Sequence, residues 1–235
     1  MEAKHQVHNL IILDESGSMG SIKTSIISAF NELVQTIKGV EKQFPEQEHF
    51  ISFVTFNGLE HKILHNAEPV SKLKELNTKK YKPDADTPLF DSMGFSILKL
   101  KALLEKVPNH NVLVTILTDG EENASREFRG QDIKKLVDDL KTKNWTFTYI
   151  GTDHDIKSFA NSISVENTLY FDKSEQGVGL MMNKERAARL SFSRKIRDNE
   201  STVAGFYGDG PYLEEEKPKP EPKAKPGFWE RLFGK

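Results

Sequence analysis

Hydrophobic positions along this chain follow two alternating rhythms: short continuous apolar runs, and longer stretches where apolar residues return every three or four places. The first run, residues 7–14, holds Val7, Leu10, Ile11, Ile12 and Leu13 and reads as a buried strand. From Ser21 to about Val40 the positions Ile22, Ile26, Phe30, Leu33, Ile37 and Val40 make one helical stripe, weakened near its end by Gly39. Residues 49–56, rich in aromatic and β-branched side chains, predict a second strand. Asn57-Gly58 is a hairpin signal, so 60–66 should return as an antiparallel edge strand. A short helix is expected at 71–76.

Pro88 suits the first position of a helix, and Leu89, Met93, Ile97, Leu100 and Leu104 continue it. On that ground alone, Thr87 would simply cap the helix. Residues 111–118 are a continuous apolar run, a central strand. A helix at 131–141, a strand at 144–150 closed by Gly151, a short helix at 154–162, a strand at 167–171 and a helix at 183–198 complete the alternation. Trp145 reads as a packing residue. Strands alternating with helices predict an α/β fold: a doubly wound, mostly parallel sheet with one antiparallel edge strand and helices on both faces.

The rhythm stops near Asp198, which divides the chain into a domain at 1–198, a linker at 199–226 and a peptide at 227–235. The linker opens on the glycine-rich turn Gly205 to Gly210 and continues in proline, glutamate and lysine, a composition that cannot bury a core. The closing peptide carries Phe228, Trp229, Leu232 and Phe233. Such aromatic anchors either fold back on the domain or dock on a second protein partner.

Composition narrows the chemistry. With 37% hydrophobic and 29% charged residues, the 235-residue chain is ordinary for a globular protein. A net charge of −2 gives no general field for nucleic acid or an anionic membrane, so neither is expected as a partner. The absence of cysteine excludes disulfides, thiolate zinc sites and cysteine nucleophiles, and fits a cytoplasmic location. No apolar run is long enough to span a membrane, and none at the N-terminus resembles a signal segment.

Candidate chemistry sits where the strands end. The first strand runs into Asp14-Glu15-Ser16-Gly17-Ser18, offering oxygen side chains at alternating positions. The central strand runs into Asp119-Gly120, and Thr87 opens a helix. In open α/β sheets ligands bind beyond the carboxyl ends of the strands. Two carboxylates and three hydroxyls there suit a hard divalent cation and leave a coordination position for an outside oxygen.

The pattern Asp14-x-Ser16-x-Ser18, then Thr87, then Asp119-Gly120 resembles the metal-ion-dependent adhesion site of von Willebrand factor type A (VWA) domains. The resemblance covers roughly residues 5–198 and extends to the strand–helix order. It implies a Rossmann-like VWA fold, with Asp14, Ser16, Ser18, Thr87 and Asp119 as the metal residues and Asp119 acting through water. It further implies Mg2+ (with Mn2+ or Ca2+ as alternatives), no reaction, and a protein partner whose Asp or Glu completes the metal shell. Lacking cysteines and a signal segment, the chain looks closer to the intracellular bacterial branch of the family, which includes tellurite-resistance and chaperone-associated proteins, than to the extracellular adhesive branch.

Two rival readings come from other classes. Gly17 to Thr24 nearly matches a phosphate-binding loop, with Gly17, Lys23, Thr24 and Asp119 as the parts of a nucleotide hydrolase. Ile22 stands where its second glycine belongs, and a β-branched residue obstructs the wrap around phosphates. The other rival is a metal-independent scaffold that docks through its aromatic tail. Ser18 lies outside a G-x-S-x-G elbow, and His61 and His65, on the edge strand, read as solvated.

Overall fold

The first apolar run forms β1 (His5–Asp14), the strand around which the sheet is laid out. On one side it pairs in parallel with β2 (Gln47–Phe56), which pairs antiparallel with the edge strand β3 (His61–Pro69). On the other side lie β4 (His110–Leu117), β5 (Trp145–Gly151) and β6 (Asn167–Tyr170), all parallel to it. The structure, a computed structural model, describes residues 4–152 and 155–208. The strand order β3-β2-β1-β4-β5-β6 makes β1 and β4 the pair from which the chain winds in opposite directions. That switch point opens a crevice at the carboxyl ends of the strands.

Helices cover both faces. On one face, α1 (Lys23–Gln43) and α5 (Glu175–Arg197) bury Ile26, Phe30, Leu33, Met181 and Met182 against Ile11, Leu13 and Phe53. On the other, α2 (Leu89–Leu104), α3 (Gly130–Lys141) and α4 (Ile156–Ser162) pack on Leu10, Ile12, Val114 and Phe147. Alternate residues of β1 thus feed opposite cores, as strand geometry requires. Trp145 is buried in the second core, as expected of a packing residue. Among the described residues no helix is long and apolar enough to cross a membrane.

Several elements depart from the sequence expectation, each for a local reason. The segment expected to be helical from Ser21 begins as a 3-10 turn over Gly17–Ile22, and α1 proper starts at Lys23. The Gly17 amide donates to Ala85 O at 2.9 Å, and buried Met19 folds underneath. The helix expected at 71–76 is one 3-10 turn, Val70–Lys72, followed by extended chain. There α1 satisfies the backbone: Asn31 exchanges two hydrogen bonds with Leu76, and Lys38 donates to Leu73 O at 2.9 Å. The helix expected from 183 starts eight residues earlier, at Glu175, because Ser174 caps it by accepting from the Gly177 amide at 3.0 Å. Gly177 and Gly179 had broken the apolar pattern; a Cβ on Gly177 would sit 2.4 Å from Asp172 O.

The hairpin forms, though not as the two-residue turn suggested. Gly58 keeps a negative φ, and the Asn57 side chain organises the loop by accepting from the amides of Leu59 and Glu60, each at 3.0 Å. Glycine serves close approach here: a Cβ would lie 3.0 Å from the Asp86 nitrogen. His61 and His65 are half-buried rather than solvated, bonded to Ser96 and Glu68 respectively, and burial holds His61 below its ordinary pKa.

Residues 199–208, expected to begin the linker, pack on the amino end of the sheet. Thr146 Oγ1 donates to Thr202 O at 2.9 Å, and the Phe206 amide donates to Asn167 Oδ1 at 3.0 Å, with Phe206 buried beside Val7 and Leu113. The remaining linker and the peptide with Phe228, Trp229, Leu232 and Phe233 lie outside the described residues.

Candidate metal centre

The register of the central strands brings the two acids together. Leu13 pairs with Leu117, so Asp14 and Thr118 leave the sheet level with each other, and Asp119 follows one residue on. Thr118 Oγ1 donates to Asp14 Oδ2 at 2.6 Å, and the Ser16 amide donates to Asp14 Oδ1 at 2.7 Å. Tyr81, fully buried, donates its hydroxyl to Asp14 O at 2.6 Å. Three loops thereby fix the position of one carboxylate.

Ser16 and Ser18 follow on the same loop, their hydroxyl oxygens 3.1 Å apart. Ser18 is exposed and reaches across to Asp119, donating to Oδ1 at 2.6 Å. The other Asp119 oxygen, Oδ2, is buried without a well-aligned hydrogen bond, and the Lys173 ammonium lies 3.2 Å from it. Thr87 arrives from the third loop. Its expected capping role is taken by the 122–125 loop: Phe90 N donates to Glu122 Oε2 at 2.8 Å and Asp91 N to Ser125 Oγ at 3.0 Å. Asn123 and Thr87 exchange two backbone-directed bonds that clamp Thr87 in place. Pro88 accordingly sits one place outside α2, whose first residue is Leu89.

Gly120 shows where these donors point. A Cβ built on it would lie 3.2 Å from Thr87 Oγ1, 3.4 Å from Ser18 Oγ and 3.8 Å from Asp14 Oδ2. Oxygens from three separate loops therefore face one small cradle that only glycine leaves clear. Asp14, Ser16, Ser18, Thr87 and Asp119 are all brought to this rim.

Burial makes negative charge costly in the cradle. Asp14 is fully buried, and loss of hydration pushes its pKa up to about 6; the Asp119 charge adds to the rise, while the bonds from Thr118 and Ser16 oppose it. A cation placed among these oxygens would relieve that cost. The donor set is two carboxylates and three hydroxyls, all hard oxygens, which fits Mg2+ or Mn2+. Among the described residues no group of three or more His, Cys, Asp or Glu side chains assembles as a metal cage. Any cation here would depend on hydroxyls, water and an outside ligand as well.

Two neighbouring acids are committed elsewhere. Glu15 pairs with Lys62 at 3.2 Å, and Glu122 accepts from Ala124, Ser125 and Phe90 amides. Lys23, the cation of the phosphate-loop reading, donates to Thr78 O at 3.3 Å, and Ile22 is buried in the core. Sequence reasoning missed Thr118, Tyr81, Asn123, Gly120's steric part and Lys173. Thr118 and Gly120 flank Asp119 and carried a signal; Tyr81 and Lys173 are distant in sequence and carried none.

No protein-family model matches the chain, and no curated protein does. Solved structures are similar in fold. The pilus adhesin SpaC from Lactobacillus rhamnosus GG, in its open conformation, superposes with TM-score 0.57 at 12% identity, over 86% of this chain and 31% of its own. The SpRpn10 VWA domain gives TM-score 0.50 at 12% identity, over 75% of this chain and 94% of that one. Proximal thread matrix protein 1 from the mussel byssus gives TM-score 0.50 at 16% identity over 78% of this chain. The chain spans about half the length of the byssus protein, 46%. At these identities the likeness establishes a VWA-like fold.

Proposed function

We propose that this chain is a non-enzymatic protein-binding module that holds a divalent cation at the carboxyl end of its sheet and uses it to capture an acidic partner residue. The observation that carries this reading is the convergence of Thr87 Oγ1, Ser18 Oγ and Asp14 Oδ2 on the space beside Gly120. Asp14, Ser16, Ser18 and Thr87 would hold the cation, with Asp119 oriented by Ser18 and acting through water. Mg2+ suits this small oxygen set best, and Mn2+ or Ca2+ could replace it. The cation supplies an electrophilic position for one oxygen of a partner Asp or Glu. Ser18, exposed at the rim, lies where such a side chain would enter. Contacts to a charged oxygen strengthen as an interface excludes water.

The cysteine-free sequence supports a cytoplasmic setting and the bacterial intracellular branch. The nucleotide-hydrolase alternative loses support, because Lys23 and Ile22 are engaged away from the cradle.

The test is a nucleotide-free Mn2+ titration followed by electron paramagnetic resonance, on the full chain and on Asp14→Ala. One site in the wild type, lost in the variant, is the expected result. Equal Mn2+ binding by both proteins, or none by either, would sink the assignment.

A further inference from the structure

The ammonium of Lys173 is a charge that the metal reading does not require, yet it is placed at the site. Lys173 lies on the turn between β6 and α5, two strands away from β4 in the sheet. Its Nζ nevertheless lies 3.2 Å from Asp119 Oδ2, whose side chain is 0% exposed, while its own is 30% exposed. The turn that presents it is tightly built. The Ser174 amide donates to Asp172 Oδ1 at 2.7 Å, Ser174 caps α5, and Gly177 allows Asp172 O to press against the first helical turn. The two Asp119 oxygens are thus divided: Oδ1 faces Ser18 and the cradle, and Oδ2 faces the ammonium.

Charge accounting gives this division a consequence. Among the described residues, the two buried carboxylates Asp14 and Asp119 and the Lys173 ammonium leave the inner rim with one negative charge. A divalent ion would convert that to one positive charge, which a single incoming carboxylate neutralises. An ammonium within a few ångströms also repels the ion that Asp119 would hold through water.

We propose that Lys173 is a tethered cation of the site, sharing Asp119 with the divalent ion so that metal alone binds weakly and a partner's single carboxylate binds strongly once metal is present. Lys173 is then a positioning and selectivity residue: it ties metal loading to the arrival of an acidic side chain. The inference rests on the metal reading above and deepens it.

The experiment uses the full chain and Mn2+ alone as the first probe, comparing wild type, Lys173→Met, Lys173→Arg and Asp14→Ala. Methionine keeps the apolar stem and removes the charge, so Mn2+ should bind about tenfold more tightly than in wild type. Arginine should stay within about twofold of wild type, since it keeps the charge. With Mn2+ saturating, acetate is then titrated as the carboxylate probe, and the loss of metal-bound water is read by proton relaxation. Lys173→Met should need roughly threefold more acetate or beyond.

Mn2+ affinity in Lys173→Met equal to wild type would overturn the inference while leaving the metal reading intact, because Asp14→Ala would still abolish the site. Tighter Mn2+ with unchanged acetate binding would overturn the partner-selecting half. No Mn2+ in wild type or Lys173→Met would overturn both readings.

Discussion

Two buried polar clusters bridge β1 and its surroundings, and they treat charge in opposite ways. Beneath α5, Arg189 is buried and every bond it makes is internal. It donates to Glu185 Oε1 at 2.9 Å, Asn9 Oδ1 at 2.9 Å and Thr115 Oγ1 at 2.7 Å, and Tyr207 donates to the other Glu185 oxygen at 3.1 Å. That cluster carries its own cation and anion and is closed. At the carboxyl end, Asp14 is equally buried, and among the described residues its carboxylate is met by neutral donors, those of Ser16 and Thr118. Burial raises the Asp14 pKa there, which marks charge the fold itself has not compensated. A closed cluster holds an element in place; an uncompensated one at a sheet's switch point is suited to an ion from outside.

The sharpest way to break this comparison is to open the closed cluster. Arg189→Met should strand Glu185 without its charge partner and cost about 3–5 kcal/mol, read as a lowered urea midpoint. Replacing both, Glu185→Leu with Arg189→Met, should recover most of that loss. A single variant that unfolded like wild type would show that Glu185 does not depend on Arg189 for its charge partner.

The same type of change at the other end should act in the opposite direction. Asp14→Asn removes a buried charge, so the metal-free protein at neutral pH should gain up to roughly 3 kcal/mol. Mn2+ affinity should fall at least about a hundredfold, because a carboxylate ligand is gone. A destabilised metal-free variant would contradict the raised Asp14 pKa.

Acid sharpens the contrast next. The Asp14 pKa is about 6 folded and 3.8 as the ordinary value, so the folded state retains a proton between those limits. The stability this gives the metal-free protein is fully present below about pH 4 and is lost as pH rises through 6. Metal binding needs the carboxylate, so Mn2+ affinity should be flat above pH 7 and fall nearly tenfold per pH unit below 6. Calorimetric titration across pH 5–8 checks the slope.

The smallest expected effect concerns shape alone. Gly120→Ala would place a methyl group 3.2 Å from Thr87 Oγ1 in the cradle. Mn2+ affinity should drop about tenfold while the melting temperature moves by only a few degrees, since neighbouring side chains must yield by tenths of an ångström. A larger stability loss with unchanged metal affinity would show that the cradle is a packing gap.

Much of this was legible in the chain itself. Strand and helix order followed from apolar rhythm because β1 and β4 are buried on both faces and α1 on one. The five oxygen donors were legible because each stands next to the end of a strongly patterned element, Asp14 after Leu13 and Asp119 after Thr118. The start of α5 was not, since Gly177 and Gly179 hide a helix whose first turn depends on the Ser174 cap and on close packing with Asp172. Nor was the non-helical path of 73–76, whose backbone partners are Asn31 and Lys38 on another element.

The sequence by itself determined the doubly wound order and the residue types at the strand ends, because periodicity and local turn chemistry act over a few neighbouring residues. Only the tertiary structure decided what those residues share. Register set Asp14 level with Thr118, the 122–125 loop relieved Thr87 of capping, and a turn two strands away delivered Lys173 to Asp119. These are long-range relations, fixed by how sheet and helices pack, and no local pattern encodes them.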